Sequence, residues 1–400
     1  MSSGERMKIL EMLQEGKITA TEAEALLKQF PDNSVNNNEN WNYDANDDVY
    51  IHIDGQGRQT QMRVPPAPPK SSVGNVIDWA RNLANDIAAD IREGFDTGDI
   101  INVNGNFRGG KGSPFSFSAP VTANAINSIK LLGKNAPVKI ETHEKNYILV
   151  QGKFKAKHRE AEVIFNTENG DYELLYNYDS MMYVGITCYL PDEISMRLLH
   201  AETKNAAIDI DDISNVEEMV LMTRNGRISV DDAENIDKLT ARTRNAAISL
   251  DDVSANKMEI VTTNSGITLD DVSAQTAELV TTNGRVTVED IDITELSVRN
   301  TNGAIIFDDI FDGEWQGTRI ISAETTNGNI SIEIPKEIGV DILARSNRHS
   351  NVSCDLENMS IRGRISKDNL DCQSIGYENF ERKVEMRLST TNGSIKIREE

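Results

Sequence analysis

Several features that usually signal a location or a chemistry are scarce in this 400-residue chain. Its three cysteines, Cys188, Cys354 and Cys372, form no C-x-x-C pair. A Cys354–Cys372 disulfide is compatible with the sequence, but reduced thiols are favoured. No run approaches the roughly 20 apolar residues of a membrane helix, and the start MSSGERMKIL lacks the apolar core of a secretory signal. The sequence therefore predicts a cytoplasmic protein, peripheral at the membrane and without transmembrane insertion, unless it is exported by an unusual route.

Positive charge is also scarce. The chain has 41 Lys and Arg against 64 Asp and Glu, a net charge of −23. Phosphate backbones and anionic lipid headgroups are bound by clustered Lys and Arg, so nucleic acid is not expected as a partner. The five histidines are scattered, and the P-loop, G-x-S-x-G and dinucleotide fingerprints are missing. The sequence predicts no catalytic residue, no bound cofactor and no enzyme.

The first part of the chain predicts two helical segments between linkers. Residues 1–31 predict a helical hairpin, in which Thr19 and Glu22 have capping-box spacing and Pro31 ends the second helix. Residues 32–72 are rich in Asn, Asp and Pro and predict a disordered linker, with one short strand where Val49, Ile51 and Ile53 alternate. A second, flexible linker is predicted for residues 95–118.

Between these linkers, residues 73–94 predict an amphipathic helix. The proposed partner-binding face consists of Ile77, Leu83, Ile87 and Ile91, which fall on one side at helical periodicity. Helices that lie in a membrane interface usually carry a polar face rich in Lys and Arg, and this polar face is acidic overall. Packing against a protein, including a second copy of this chain, is therefore favoured over contact with lipid.

A repeat occupies the second half of the chain. The signature T-x-N-x-x-I-x-I-D-D-I recurs in TRNGRISVDDA, TTNSGITLDDV and related segments, and its first six asparagines lie 20, 20, 19, 19 and 19 residues apart. The asparagines of all eight matches are Asn205, Asn225, Asn245, Asn264, Asn283, Asn302, Asn327 and Asn392. Self-similarity at a nearly fixed period is typical of stacked repeats.

Apolar residues recur at fixed positions in each repeat, three and five residues after the asparagine and four and six before it. This period-two alternation predicts two short strands per repeat with one buried face. The predicted fold is mainly β, a single-stranded parallel β-solenoid of 19–20 residues per coil, right-handed by the crossover preference. It is favoured over an antiparallel sandwich of hairpins. Residues 201–400 would form about eight coils in a core about 40 Å long, and residues 119–200 a β cap.

Two polar columns accompany the buried positions. The asparagines are predicted to form a structural turn ladder, because Asn tolerates left-handed backbone geometry and stacked amides bond along a column. The second column is acidic, and its candidate cation ladder is Asp212, Asp232, Asp252, Asp271, Asp290 and Asp309. Ca²⁺ favours clustered carboxylates. Turn-stabilising Asp is favoured over Ca²⁺ sites, since the glycine-rich nonapeptide of calcium-binding β-rolls is absent.

The hairpin MKILEMLQEGKITATEAEALLKQF and the TTNG-x-I-x-I repeats together resemble bacterial proteins of the YvlB/LiaX type. In that family the hairpin is a short N-terminal domain, and the repeats form a "putative adhesin" β-solenoid, a domain of unknown function. The resemblance implies a role in envelope stress in Gram-positive bacteria, beside phage-shock-type membrane proteins. Some members are found at the cell surface without an ordinary signal, so non-classical export is the alternative location.

These observations predict an interaction scaffold that binds a protein partner at or near the membrane, beside a phage-shock-type membrane protein. The alternative is a surface adhesin or cell-wall-binding protein. A polysaccharide-acting β-helix enzyme ranks third. Its site would stand out as one odd coil with Lys or Arg among acids, whereas here the acids are spread over six coils.

Overall fold

The computed structural model describes residues 49–53, 59–63, 113–121, 125–157, 163–168, 170–192, 194–311, 315–347, 350–362 and 366–399. The chain divides into two compact units, Met1–Pro66 and Ala67–Glu400. The helical hairpin predicted for residues 1–31, and the helix of residues 73–94 with its face of Ile77, Leu83, Ile87 and Ile91, lie outside the described residues. Both stay predictions.

In the first unit, β1 (Val49–Ile53) pairs antiparallel with β2 (Gln59–Arg63). The short strand predicted at Val49–Ile53 is confirmed. The second strand, β2, was not predicted within the linker of residues 32–72. The sequence of β2 is QTQMR, which has no apolar alternation and therefore gave no signal for a strand. A strand can form there because the ladder between β1 and β2 consists of backbone hydrogen bonds, which require no side-chain pattern.

The described residues of the second unit form strands and two short 3₁₀ turns, at Tyr178–Ser180 and Tyr377–Asn379. Its strands are β3 (Ser113–Pro120), β4 (Ala125–Leu132), β5 (Val138–His143), β6 (Tyr147–Ala156), β7 (Val163–Glu168), β8 (Asp171–Tyr176), β9 (Met181–Pro191), β10 (Ser195–Thr203), β11 (Ile208–Thr223), β12 (Ile228–Arg242), β13 (Ile248–Val261), β14 (Ile267–Val280), β15 (Val286–Glu289), β16 (Ile291–Arg299), β17 (Ile305–Asp308), β18 (Gly317–Thr325), β19 (Ile330–Ile334), β20 (Gly339–Arg345), β21 (Val352–Cys354), β22 (Met359–Ile361), β23 (Asn369–Ser374), β24 (Arg382–Thr390) and β25 (Ile395–Glu399).

The repeats stack as parallel rungs in register, so that Ile208 lies opposite Ile228 and Ile228 opposite Ile248. The wall that contains these residues has eleven rungs in the order β9, β5, β11, β12, β13, β14, β15, β17, β19, β25 and β21. At about 4.8 Å per rung, the core is about 50 Å long. The parallel solenoid is confirmed and the sandwich of hairpins is wrong. The estimate of eight coils was too low, because β9, β5 and β21 lack the full signature.

The predicted core positions around the first six asparagines are all buried, from Leu199 to Phe307. Each side chain covers the equivalent one in the next rung, as Leu250 and Leu269 do. Full burial of one such aliphatic side chain stabilises the fold by about 1.5–3 kcal/mol. The repeated positions therefore supply one continuous core along the stack.

The difference between 20- and 19-residue coils has a local cause. Asn215 and Asn235 have positive φ angles of 60° and 53°. Pairing between β12 and β13 shifts by one residue between Ala233 and Ile236, so Asn235 has no counterpart in the next coil. Each 20-residue coil thus carries one extra residue as a bulge, and Asn accepts the left-handed conformation there.

At the N-terminal end of the stack, the first coil in sequence is not the outermost. β5 pairs with β11 on one side and with β9 on the other, both in parallel. Three antiparallel strands complete this end, since β6 pairs with β9, β3 with β6, and β7 with β8. Thr167, which begins a TENG segment similar to the TTNG of the repeats, lies on β7 and pairs antiparallel with Tyr172 of β8.

This cap begins earlier than the sequence predicts. β3 starts at Ser113, so the flexible linker predicted for residues 95–118 is wrong at its C-terminal end. Phe115 and Phe117 of β3 are buried, and the ring of Phe117 stacks on Phe165 with centroids 5.9 Å apart. The alternation PFSFS was the signal for a strand, but the Gly-rich segment before it favoured the linker interpretation.

At the C-terminal end of the stack, the last coil in sequence is likewise not the outermost. The last strand pair, β24 and β25, inserts between β18–β19 and β20–β21, with parallel pairing on both sides. β23 then pairs antiparallel with β20, and β22 with β23. At both ends of the solenoid, the coil that comes first or last in sequence lies inside the stack, where both of its edges are paired.

Candidate functional site: the polar columns of the solenoid

The asparagine column is a continuous row of side-chain hydrogen bonds. Asn264 Nδ2 donates to Asn245 Oδ1 at 2.6 Å, and Asn283 Nδ2 donates to Asn264 Oδ1 at 2.8 Å. The row runs through Asn135, Asn205, Asn225, Asn245, Asn264, Asn283, Asn302, Asn327 and Asn392. It therefore connects the coils on one exposed corner, including the coil of Asn392 that inserts from the C-terminus.

Sequence analysis missed Asn135, the first member of the row. Val138 and Ile140 follow it at the spacing of the repeat. The coil was not recognised because the position two residues before the asparagine, which is Thr in most repeats, is Gly133 here. A search for N-x-x-[IV]-x-I alone would have found it.

The backbone argument for these asparagines was wrong in detail. Among the column residues, Asn135 has a positive φ, 53°, and the eight predicted members do not. Asn is used at these eight corners because its amide both donates and accepts along the column. In six coils a left-handed residue lies instead at the corner of the candidate cation ladder, from Asp212 to Asp309.

A second row, of threonine hydroxyls, lies beside the asparagines inside the coil. Thr243 Oγ1 donates to the carbonyl oxygen of Gly226 at 2.9 Å, and Thr281 Oγ1 to that of Ser265 at 2.8 Å. Asn300 takes the place of Thr in one coil and donates to the Gly284 carbonyl at 2.6 Å. These bonds satisfy corner carbonyls that would otherwise be buried without partners.

The acidic corner is set by backbone geometry. The six residues of the candidate cation ladder all have positive φ angles, between 44° and 56°. They are Asp212, Asp232, Asp252, Asp271, Asp290 and Asp309, and all six are exposed. Asp and Asn are the non-glycine residues that tolerate this conformation best, which accounts for Asp at this corner in these six coils.

The stacked carboxylates oppose one another electrostatically. Desolvation, and then the charges of Asp212 and Asp252 on either side, raise the pKa of Asp232. Desolvation and neighbouring acids raise the pKa of Asp251 in the same way. In the described part of the chain, no group of three or more His, Cys, Asp or Glu side chains is arranged to hold a metal ion. The corner presents a line of negative charge to solvent.

The outer faces of the walls carry opposite charges from neighbouring coils. Lys238 Nζ lies 3.1 Å from Glu218 Oε1, and Arg299 Nη1 lies 2.7 Å from Glu278 Oε1. Exposed pairs of this kind contribute about 0–1 kcal/mol each. These ion pairs therefore add little to the stability of the stack.

The structure also brings together a buried polar cluster that the sequence did not indicate. Lys134 Nζ donates to the carbonyl oxygen of Tyr178 and lies 3.8 Å from the centre of its ring. Burial lowers the pKa of Lys134 to about 8, and burial raises the pKa of Glu202 to about 7. These residues come from β8–β9 and from two neighbouring coils, so only the stacking of the N-terminal coil places them together.

Among the described residues, no helix is long and apolar enough to cross a membrane. The profile of the family described as Toastrack DUF4097 matches residues 126–398, and that of a SHOCT-like domain matches residues 4–32. Neither description denotes a catalytic family. A comparison with curated proteins finds no match.

Three solved structures are similar to this chain at low identity and low TM-score. A "putative lipid binding protein" from Parabacteroides distasonis is 13% identical with a TM-score of 0.42, over 72% of this chain and 98% of that one. A "putative adhesin" from the same species is 12% identical with a TM-score of 0.36, over the same shares. A "putative cell adhesion protein" from Clostridium sporogenes is 13% identical with a TM-score of 0.24, over 72% of this chain and all of that one. Because the Toastrack match spans more than half of the sequence, this chain belongs to the Toastrack DUF4097 family.

Proposed function

We propose that this chain is a non-enzymatic interaction scaffold of the bacterial cell-envelope stress response. In this proposal the solenoid is a rigid body, and the helical segments predicted at residues 1–31 and 73–94 bind a protein partner at or near the membrane. The observation that carries the proposal is the continuous bonding of each coil to the next, through the core, the asparagine row and the threonine row.

Rigidity is useful to a scaffold because a surface that is already ordered loses little conformational entropy when a partner binds. In a stack of repeats each unit contacts its neighbours, and the repeated surface extends along the axis. Here the core and two polar rows restrain every repeat, from the coil of Asn205 to that of Asn392. A long surface of fixed geometry results.

The charge of this surface supports a protein partner. The exposed acidic corner runs along six coils, and the whole chain carries −23. Such a surface repels anionic headgroups and nucleic acid. Contact with the membrane would therefore run through a protein. The YvlB/LiaX resemblance implies a phage-shock-type membrane protein in this role.

The proposed partner-binding face is tested in the full chain. Replacing Ile77, Leu83, Ile87 and Ile91 with Ser should abolish the recovery of a membrane protein crosslinked to this chain in envelope-stressed cells. The matched control replaces Asp78 and Asp86, on the polar side of the same predicted helix, with Asn and should retain the partner. Equal recovery with both variants would contradict the assignment of this face.

Cell fractionation tests the location. Recovery from the cytoplasm and the membrane-associated fraction, with more in the latter under stress, is the expected result. Recovery confined to the wall or the culture medium would reject the proposal. It would favour the alternative of a surface adhesin or cell-wall-binding protein.

A further inference from the structure

Two cysteines that are separate in sequence meet at the C-terminal end of the solenoid. Cys354 lies on β21 opposite Ile397, and Cys372 lies on β23 opposite Ile342. Both of these isoleucines are buried, so the two cysteines face the core from different walls of the last coil. The two thiols are close enough to shift each other's pKa in opposite directions. Both are free thiols in this structure.

We propose that Cys354 and Cys372 are a redox-active pair, a site for thiol–disulfide exchange with low-molecular-weight disulfides of the glutathione class. Oxidation of the pair would join the two walls of the solenoid at its C-terminal end. This inference is independent of the proposed scaffold function.

The two thiols differ in access and therefore in role. Cys354 is half-buried, whereas Cys372 is 1% exposed. The hydrogen bond from Cys372 lowers the pKa of Cys354 to about 7, and the backbone N–H of Leu356 acts in the same direction. The same bond and burial raise the pKa of Cys372. A thiol whose pKa lies near ambient pH is the best attacking group in this exchange, so Cys354 is the nucleophile and Cys372 the resolving thiol.

The exchange proceeds in two balanced steps. The Cys354 thiolate attacks one sulfur of glutathione disulfide, which forms a mixed disulfide and releases one glutathione thiolate. Cys372 then loses its proton and attacks Cys354 Sγ, and the second glutathione leaves as a thiol. The two cysteine sulfurs give up two electrons to the oxidant, and their two protons end on the two released glutathiones.

The position of the pair gives the bond a structural consequence. In the part of the chain that the structure describes, β21 pairs with β25 alone and β22 with β23 alone, so these strands close the stack. Val352 and Met359 pack on the core there and are only partly buried. A crosslink between the walls would restrain this open end, where fewer contacts oppose local unfolding.

Cys188 provides an internal control. It is fully buried in β9, burial raises its pKa, and it lies in the N-terminal part of the stack. Without a thiolate or access it should not react. Oxidation should therefore be specific to the pair.

The test uses the full, reduced chain in glutathione buffers with an increasing oxidised fraction, followed by alkylation and peptide mapping. Trypsin cleaves after Arg362 and Lys367, between the two cysteines, so only a disulfide keeps their peptides together. The expected result is a linked Cys354–Cys372 pair, a fall from three free thiols per chain to one on Cys188, and a higher melting temperature than in the reduced protein. Three alkylated cysteines at every ratio would overturn the proposal.

Two variants separate the roles of the thiols. Cys372→Ser should accumulate glutathione on Cys354, because no resolving thiol is present, and Cys354→Ser should keep its two remaining thiols free and show no redox-dependent shift in melting. If the Cys372→Ser variant fails to fold, the wild-type peptide map still decides the question. Glutathione retained on Cys354 of the wild-type protein, without the linked peptides, would also overturn the proposal.

Discussion

The asparagine row makes a quantitative prediction about coupling between neighbouring coils. Asn245→Ala removes the hydrogen bonds to Asn225 and Asn264, and Asn264→Ala removes those to Asn245 and Asn283. The two variants share one bond, so the double variant loses three bonds instead of four. A hydrogen bond of this kind contributes about 0.5–1.5 kcal/mol net, and these amides are exposed. The double variant should therefore be about 0.5–1 kcal/mol more stable than the sum of the single changes predicts.

The matched control combines Asn225→Ala with Asn283→Ala. These residues are not bonded to each other, so four different bonds are lost and the two changes should add. Because every substitution is the same type at the same corner, differences in turn propensity cancel within each cycle.

Urea unfolding followed by far-ultraviolet circular dichroism measures the free energies, with the dependence on urea required to stay constant across the series. Additivity of Asn245→Ala and Asn264→Ala within about 0.3 kcal/mol, as for the control pair, would refute the claim that the amides couple adjacent coils. Coupling of equal size in both pairs would refute it as well, because it would reflect cooperativity of the stack and not the shared bond.

Three further predictions concern the core, the corner and the acidic column. Leu269→Ala should cost about 2–5 kcal/mol in urea unfolding because its buried side chain leaves a cavity, whereas Thr268→Ala on the outer face should change little. Gly284→Ala would place Cβ 1.7 Å from a backbone oxygen of the preceding coil, and we expect a loss of about 1–3 kcal/mol by overpacking, with a lower melting temperature as the readout. Because the pKa of Asp232 and of Asp251 is raised in the folded state, their stabilising contribution is complete below the unfolded pKa and is lost as pH rises through the folded pKa. The gain in melting temperature from Asp232→Asn should accordingly be larger at pH 7 than at acidic pH, and a gain independent of pH would contradict the electrostatic explanation.

The fold of the repeat region was largely predictable because the same short pattern of apolar residues occurs in every repeat. Alternation around each asparagine identified residues such as Ile248 and Leu250 as core, and both are buried. Equal spacing indicated parallel stacking, since only equivalent positions can cover one another in register. The Toastrack match places the same region in a known family.

The sequence predicted the positions of the two polar columns, but not the physical reason for the residue type in each column. The sequence shows where Asn264 and Asp271 recur, but not which of the two corners is left-handed. In the structure it is Asp271, with a φ of 50°. Asn and Asp both tolerate that conformation, so composition alone could not distinguish a corner set by backbone geometry from one set by amide hydrogen bonds.

The strands that cap the solenoid could not be predicted fully from the sequence, because of the composition around them and because their pairing partners are distant in sequence. β3 begins directly after a glycine-rich segment, and its burial depends on the antiparallel partner β6. The approach of Cys354 to Cys372 likewise follows from the pairing of β21 with β25 and of β23 with β20. No spacing between the two cysteines indicates that contact.

The sequence by itself determined the period of the coil, the residues of its interior and the parallel direction of stacking, because each of these depends on side-chain patterns that repeat along the chain. The tertiary structure alone decided the order of the coils at both ends, where β4–β5 and β24–β25 insert inside the stack. In that order each inserted strand is paired on both edges. Strand edges consist of backbone N–H and C=O groups, which are the same in every residue except proline and therefore leave no pattern in the sequence.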